Sequence, residues 1–296
     1  MRRLLRLVTR LVFLLGAIMV GLVVAYRFVP PPLTPLMVIR MVEAGAGGRG
    51  VGVVRRWVGL ERVSPALVRA VIAAEDARFF LHHGIDVAAA REAQRFNATH
   101  GGHRVRGAST ITMQCARNVF LWPGRTWTRK GLEAVLAVLL EVGWGKRRIV
   151  EIYLNVVEWG DGLYGAEAAA ERYFGVPAIQ LNDHEAALLA AALPSPRRSN
   201  PAAPSAYLRA RAAVIESRAR SVTLSPLGDV WRGSPSRQSP NTRSALPWRK
   251  SASVSASSAS DARSSRQTCA GQAGWFEPKS TFRRPWPRRY ATSSGG

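Results

Sequence analysis

Two adjacent carboxylates, Glu75 and Asp76, close an apolar run in VIAAEDARFFLHHG, Val71 to Gly84. Glu75 follows Val68 and Val71 at seven and four residues, which puts it on the edge of the stripe a helix would bury. Partial desolvation there makes a carboxylate a better proton acceptor, as general base catalysis requires. Asp76, its neighbour, reads as a local hydrogen-bonding partner rather than a second base. Further along, Arg125, Arg129 and Lys130 fall within six residues, with Glu133 one turn beyond. Cations ahead of an acid are the unfavourable order for a helix dipole, so these charges hint at a task beyond stabilising their helix. Thr110, Gln114 and Arg117 recur at helical spacing and form one polar face. The plainer reading of each charge is a solvated surface, and clustering is what weighs against it.

Other chemistry is poorly supported. His82 with His83, and His100 with His103, match no defined zinc spacing, so no metal ligands are assigned and His82 is read as structural. Cys115 and Cys269 make no disulfide framework, and Cys115 falls on an apolar face with Ile111 and Val119, as a small core residue would.

These residues must be positioned by helices, because from about Ser64 to Arg218 the apolar periodicity is helical and strand signals are scarce. Ser64-Pro65 predicts a capped helix start, with Leu67, Val68, Val71 and Ile72 as its buried stripe. Asp86 predicts a cap for a helix across VAAAREAQRF, and NATHGGHRVRG a loop after it. Ser109 is expected to cap TITMQCARNVFL. Two further helices follow, one over GRTWTRKGLEAVLAVLLEVGWG and one over GKRRIVEIYLNVVEWG. A glycine-rich turn, a small-residue helix ending at Gly175 and a last helix stopped by prolines complete the pattern.

The two ends differ from this middle. Leu11 to Tyr26 carries no charged side chain, about 24 Å of helix. Arg2, Arg3, Arg6 and Arg10 precede it, which predicts an uncleaved membrane anchor with a cytoplasmic N-terminus. A cleaved signal peptide is the rival, but no small-x-small site follows. PPPLTP reads as a stiff spacer. The net charge is +23, and from residue 217 onward 14 Lys/Arg face only 3 Asp/Glu. Such an excess favours an anionic partner: nucleic acid, anionic lipid or a phosphorylated substrate. An exported chain without a nucleic-acid motif argues against the first. The Ser/Arg/Pro-rich stretch from 217 to 296 reads as a disordered basic tail, and its abrupt onset is also what a shifted reading frame would produce. The expected division is thus 1–10 cytoplasmic, 11–29 membrane, 30–54 linker, 55–216 catalytic domain and 217–296 tail.

Taken in order, four strings resemble the peptidoglycan glycosyltransferases, glycosyltransferase family 51, in their monofunctional biosynthetic form. E-D-x-x-F-x-x-H-x-G is met by Glu75, Asp76, Phe79, His82 and Gly84; GASTITMQ spans Gly107 to Gln114; R-K-x-x-E is Arg129, Lys130 and Glu133; and Lys146 to Asn155 supplies the fourth. Arg117 stands where the family often has lysine, and Ala108 and Met113 replace frequent Gly and Gln. The resemblance covers about Arg55 to Ile215 and implies a mainly α, lysozyme-like helical fold. It implies lipid II as acceptor, with Glu75 as base on its 4-hydroxyl, and a glycan on a polyprenyl diphosphate as donor. Inversion at the donor carbon would follow. Arg117, Arg125, Arg129 and Lys130 would bind the diphosphate, and Glu133 would orient these cations or help hold Mg2+ or Mn2+. Asp76, Ser109, Thr110 and Gln114 complete the expected substrate site, and no organic cofactor is expected. The implied setting is the bacterial inner membrane, with the catalytic domain periplasmic and other cell-wall synthesis proteins as partners. The competing enzyme class is a lytic transglycosylase on a similar fold. No S-x-x-K or K-T-G string occurs, so no transpeptidase is expected.

Overall fold

The computed structural model describes residues 1–46, 52–99, 107–124 and 126–231. Arg125, most of the expected loop at 100–106, Cys269 and the tail from 232 lie outside the described residues. The described residues are mainly α, as the periodicity predicts, with nine α-helices and one small sheet.

Helix α1 (Arg2–Phe28) is long and apolar enough to cross a membrane, and nearly all of it is exposed. Its last turns are anchored on the folded domain. Trp144 Nε1 donates to the Val23 carbonyl at 2.6 Å, Arg148 donates through Nε and Nη2 to that of Tyr26 at 3.1 and 2.9 Å, and Arg27 donates to that of Gly143. The segment after it is more than a spacer. Thr34 accepts from the Met37 amide and starts α2 (Pro35–Ala46), whose Met37 is fully buried.

The expected start of α3 (Pro65–Glu75) is present: the Ser64 hydroxyl accepts from the Ala66 amide, and Leu67, Val68, Val71 and Ile72 are buried. Asp86 accepts from the Ala89 amide at 2.8 Å and begins α4 (Val87–Thr99), which continues past the expected VAAAREAQRF to Thr99, short of the first glycine of the expected loop. Thr110, not Ser109, caps α5 (Ile111–Phe120), accepting from the Met113 amide at 3.1 Å. The two helices expected over 124–160 are present and follow one another end to end as α6 (Trp127–Val156), with a kink at Gly145, whose φ of +70° and ψ of 168° are not helical. Glycine has no Cβ to oppose that positive φ, so the chain can turn there from the first helix into the second.

Short strands that periodicity missed tie the ends of the domain together. β1 (Val54–Arg55) lies parallel to β3 (Leu163–Tyr164), which is antiparallel to β2 (Glu158–Gly160). Two or three residues are too few for alternation to register. Asn155 extends the pairing with its side chain, which accepts from the Val58 amide and donates to the Val58 carbonyl. α7 (Ala166–Phe174), α8 (Asp183–Ala192) and α9 (Ala206–Ala219) finish the core, with α3 packed between α8 and α9 and α5 packed on α6.

The expected boundary at 216 falls too early. α9 continues to Ala219, Leu227 and Val230 are buried, and Trp231 Nε1 donates to the Val63 carbonyl at 2.8 Å. Isolated apolar residues between polar ones have no period to read, yet each finds a place on the core.

One turn is held especially tightly. Gly84 has φ +90°, and a Cβ there would lie 2.9 Å from the Ala137 carbonyl oxygen of α6. Gly84→Ala should therefore destabilise the domain by about 2 kcal/mol or more, since the left-handed conformation alone costs about 1–2 kcal/mol. Thermal unfolding in detergent checks this, and an unchanged midpoint would show that the turn can move away from α6.

Candidate active site

Two groups of side chains are linked through α5. The first begins at the C-terminal end of α3. There Glu75 occupies the last helical position and Asp76 leaves the helix with φ −159°. This break sends the two neighbours in different directions, in keeping with Asp76 as a hydrogen-bonding partner rather than a second base. Glu75 remains half-buried and accepts from Gln114 Nε2 at 2.9 Å. Asp76 turns into the domain, where its carboxylate meets His82 Nε2 at 3.0 Å and accepts from the Ile111 amide at 2.9 Å. It thus caps α5 from outside and fixes that helix against the end of α3. The expected part for Asp76 in binding substrate is replaced by a buried structural tie.

Thr110 is also inward. Its hydroxyl donates to the Gly84 carbonyl at 2.6 Å while serving as the α5 cap, so it positions the helix rather than facing substrate. Ser109, one residue earlier, is only half-buried and accepts from Lys130 Nζ at 2.8 Å. That bond links the start of α5 to the second group, on the first turns of α6.

Thr126 caps α6 by accepting from the Arg129 amide at 3.3 Å. One turn on, Glu133 is 2% exposed, and both of its oxygens meet cations. Arg129 pairs with one, and Lys130 Nζ lies 2.8 Å from the other. The helix-dipole disadvantage of this order is offset by a carboxylate that neutralises two charges at once. Burial, followed by the like charge of Arg117, lowers the proton affinity of both Arg129 and Lys130. Arg117, half-buried on α5, therefore belongs to the same electropositive cluster. Glu133 draws these cations together, and a polyanion would complete the balance.

The expected residues Glu75, Gln114, Arg117, Ser109, Lys130, Arg129 and Glu133 are thus brought together, whereas Asp76 and Thr110 support them from behind. Arg125 lies outside the described residues. A cavity of about 250 Å³ lined by Arg69, Asp183, Glu216 and Arg220 contains none of them. Both Glu133 oxygens are already paired with cations, and among the described residues no three His, Cys, Asp or Glu side chains gather into a metal site.

The sequence did not single out a second polar cluster behind the site. Lys146, just past the Gly145 break, donates to the His82 carbonyl at 2.6 Å and lies 2.7 Å from Glu141. Thr112 donates to the same Glu141 oxygen at 2.7 Å, and the Lys146 ammonium sits 4.5 Å over the Phe79 ring. These contacts lock the turn after Asp76 onto α6. Lys146 opens the fourth string, so a signal was present, but nothing in its spacing indicated a partner 64 residues away. Cys115 is fully buried and its thiol is pushed up by that burial, which agrees with a core role.

Known proteins are similar to this chain in sequence. A family model described as Transglycosylase matches residues 47–220. A biosynthetic peptidoglycan transglycosylase of Rhodospirillum centenum is 54% identical over 216 residues, 73% of this chain and 90% of the relative. One from Caulobacter vibrioides is 50% identical over 229 residues, 77% of this chain and 96% of its own. The Bdellovibrio bacteriovorus protein of the same name is 53% identical over 191 residues, 64% of this chain and 76% of its own. With more than half its length matched and this degree of identity across most of each relative, the chain belongs to the transglycosylase family, whose domain is a lysozyme-like helical fold.

Proposed function

We infer that the chain polymerises lipid II into peptidoglycan glycan strands. Glu75 takes the proton of the acceptor's 4-hydroxyl as that oxygen attacks the anomeric carbon of the lipid-linked donor chain. The bond from that carbon to the diphosphate oxygen breaks, and its electron pair leaves with the polyprenyl diphosphate. Arg117, Arg129 and Lys130 stabilise the charge that develops there. A single displacement at an α-linked donor inverts it to a β linkage. The leaving group drives the transfer, so no organic cofactor is required.

The observation that carries this reading is the junction between the two groups. The carboxylate-bearing end of α3 and the cation-bearing start of α6 are joined through α5 by Gln114 on one side and by Ser109 on the other. A lytic enzyme cleaves between neutral sugars and has no use for a cluster of three cations. The membrane helix and the exposed stripe of Leu132, Val135, Leu139 and Val142 on α6 support a domain lying on the bilayer, where the lipid-linked substrates reside. The arginines before the anchor support a cytoplasmic N-terminus with the catalytic domain on the periplasmic face of the inner membrane.

Incubating the full chain with labelled lipid II, and separately with purified peptidoglycan, tests the reading. Long glycan from the first and no soluble fragments from the second is the expected result. Fragment release without polymer would reverse it.

A further inference from the structure

Tyr153 has a hydroxyl that packing does not explain. It lies between Ile152 and Leu154 in α6, and all three are fully buried. A phenylalanine would fill the same space, and a buried hydroxyl costs stability unless it is bonded. The Tyr153 hydroxyl donates to Gln114 Oε1 at 3.1 Å, while Gln114 Nε2 donates to Glu75 Oε2 at 2.9 Å. We propose that Tyr153 is a positioning residue for Glu75, acting through the Gln114 carboxamide to set which end of that amide faces the carboxylate.

The proposal rests on Glu75 being the base. A carboxamide has nearly the same shape in its two orientations, but one end accepts and the other donates. With the phenol donating to Oε1, Nε2 is turned toward Glu75, and the N–H bond holds the carboxylate oriented for the acceptor hydroxyl. Once Glu75 has taken the proton, it becomes a donor. The amide can then turn over, so that Oε1 accepts from the Glu75 hydroxyl and Nε2 donates to the Tyr153 oxygen. No proton leaves the chain of three groups in that rotation, and the Tyr153 oxygen stays bonded to the amide, now as acceptor. Release of the proton from Glu75 restores the first arrangement. Tyrosine suits the remote end because its hydroxyl both donates and accepts.

The groups facing this chain agree with such a role. Burial, reinforced by the charge of Glu75, pushes the Tyr153 phenol well up, so it remains a neutral donor across the working range. Arg117 opposes that effect from α5, one turn beyond Gln114. Cys115, on the same helix, is a buried thiol pushed up by desolvation and is neutral. Asp76 stands beside Glu75 but is paired with His82 and the Ile111 amide.

Steady-state polymerisation from lipid II in detergent by full-length Tyr153→Phe tests the proposal. The kcat should fall about tenfold, the size of effect a lost hydrogen bond produces, with KM unchanged within about twofold because the ring does not touch substrate. The acid limb of the kcat profile should move to higher pH by about half a unit, since an amide no longer polarised by the phenol is a weaker donor to the charged carboxylate. Adding Tyr153→Phe to Gln114→Met should cause no further loss, because the effect passes through the amide. Circular dichroism verifies that each variant is folded. A Tyr153→Phe enzyme with wild-type kcat and acid limb would overturn the proposal, as would losses that multiply in the double variant. Glu75→Gln, assayed alongside, keeps the two readings apart. An active Glu75→Gln enzyme removes the base itself, whereas an inactive one beside an unaltered Tyr153→Phe enzyme removes only the relay.

Discussion

Replacing Glu75 by glutamine should abolish glycan polymerisation while leaving the chain folded and membrane-bound. A sugar hydroxyl is a poor nucleophile near neutral pH, and a positioned base contributes about 100- to 10,000-fold. Glutamine has nearly the volume of glutamate but cannot take the proton, so the loss should fall in kcat and not in KM. The fold should tolerate the change. Glu75 is only half-buried, and the domain-building bonds at this corner are made by Asp76 and Thr110. Rates from labelled lipid II, normalised to correctly folded protein, decide the matter. Polymer made at close to the wild-type rate would take the catalytic role away from Glu75.

The second large effect is expected at Glu133. Its carboxylate neutralises Arg129 and Lys130 together, and Arg129 is buried with it. In Glu133→Gln both cations lose their counter-charge. Removing one partner of a buried ion pair costs about 3–5 kcal/mol. Lys130 is partly exposed and screened by water, so a loss of about 2–3 kcal/mol is the better expectation here. Activity should fall about 100-fold, because the cations that meet the leaving group are no longer held in place. Thermal unfolding and initial rates measured on one preparation separate the two effects. A variant that unfolds earlier but polymerises at the normal rate would confine Glu133 to stability.

Several parts of the site could be read before any coordinates. The helix ending at Glu75 followed from a cap, a proline and a stripe of apolar residues, all within eleven positions. The cations of α6 stood close enough in sequence to be recognised as a cluster, and their order relative to Glu133 already pointed beyond helix stability. Other parts could not be read. Asp76 reads as a hydrogen-bonding partner, but only the turn at Asp76 shows that its carboxylate goes to Ile111 and His82. Ser109 and Thr110 are both good caps, and the choice between them depends on the Gly84 carbonyl that receives the Thr110 hydroxyl. Tyr153 and Lys146 were visible inside a recognised string, but their partners lie 39 and 64 residues away in the chain.

Sequence alone therefore determined an N-terminal helix apolar enough to cross a membrane, the helical character of the domain and the residue types able to act as base and as anion-binding cations. Those properties come from short-range periodicity, capping and charge spacing, which a chain carries along its own length. Tertiary structure decided which carboxylate stays accessible, which hydroxyl becomes a cap and which amide reaches Glu75. A buried polar group must be satisfied by whatever donor or acceptor the packed fold brings to it, and that partner is set by the meeting of distant helices.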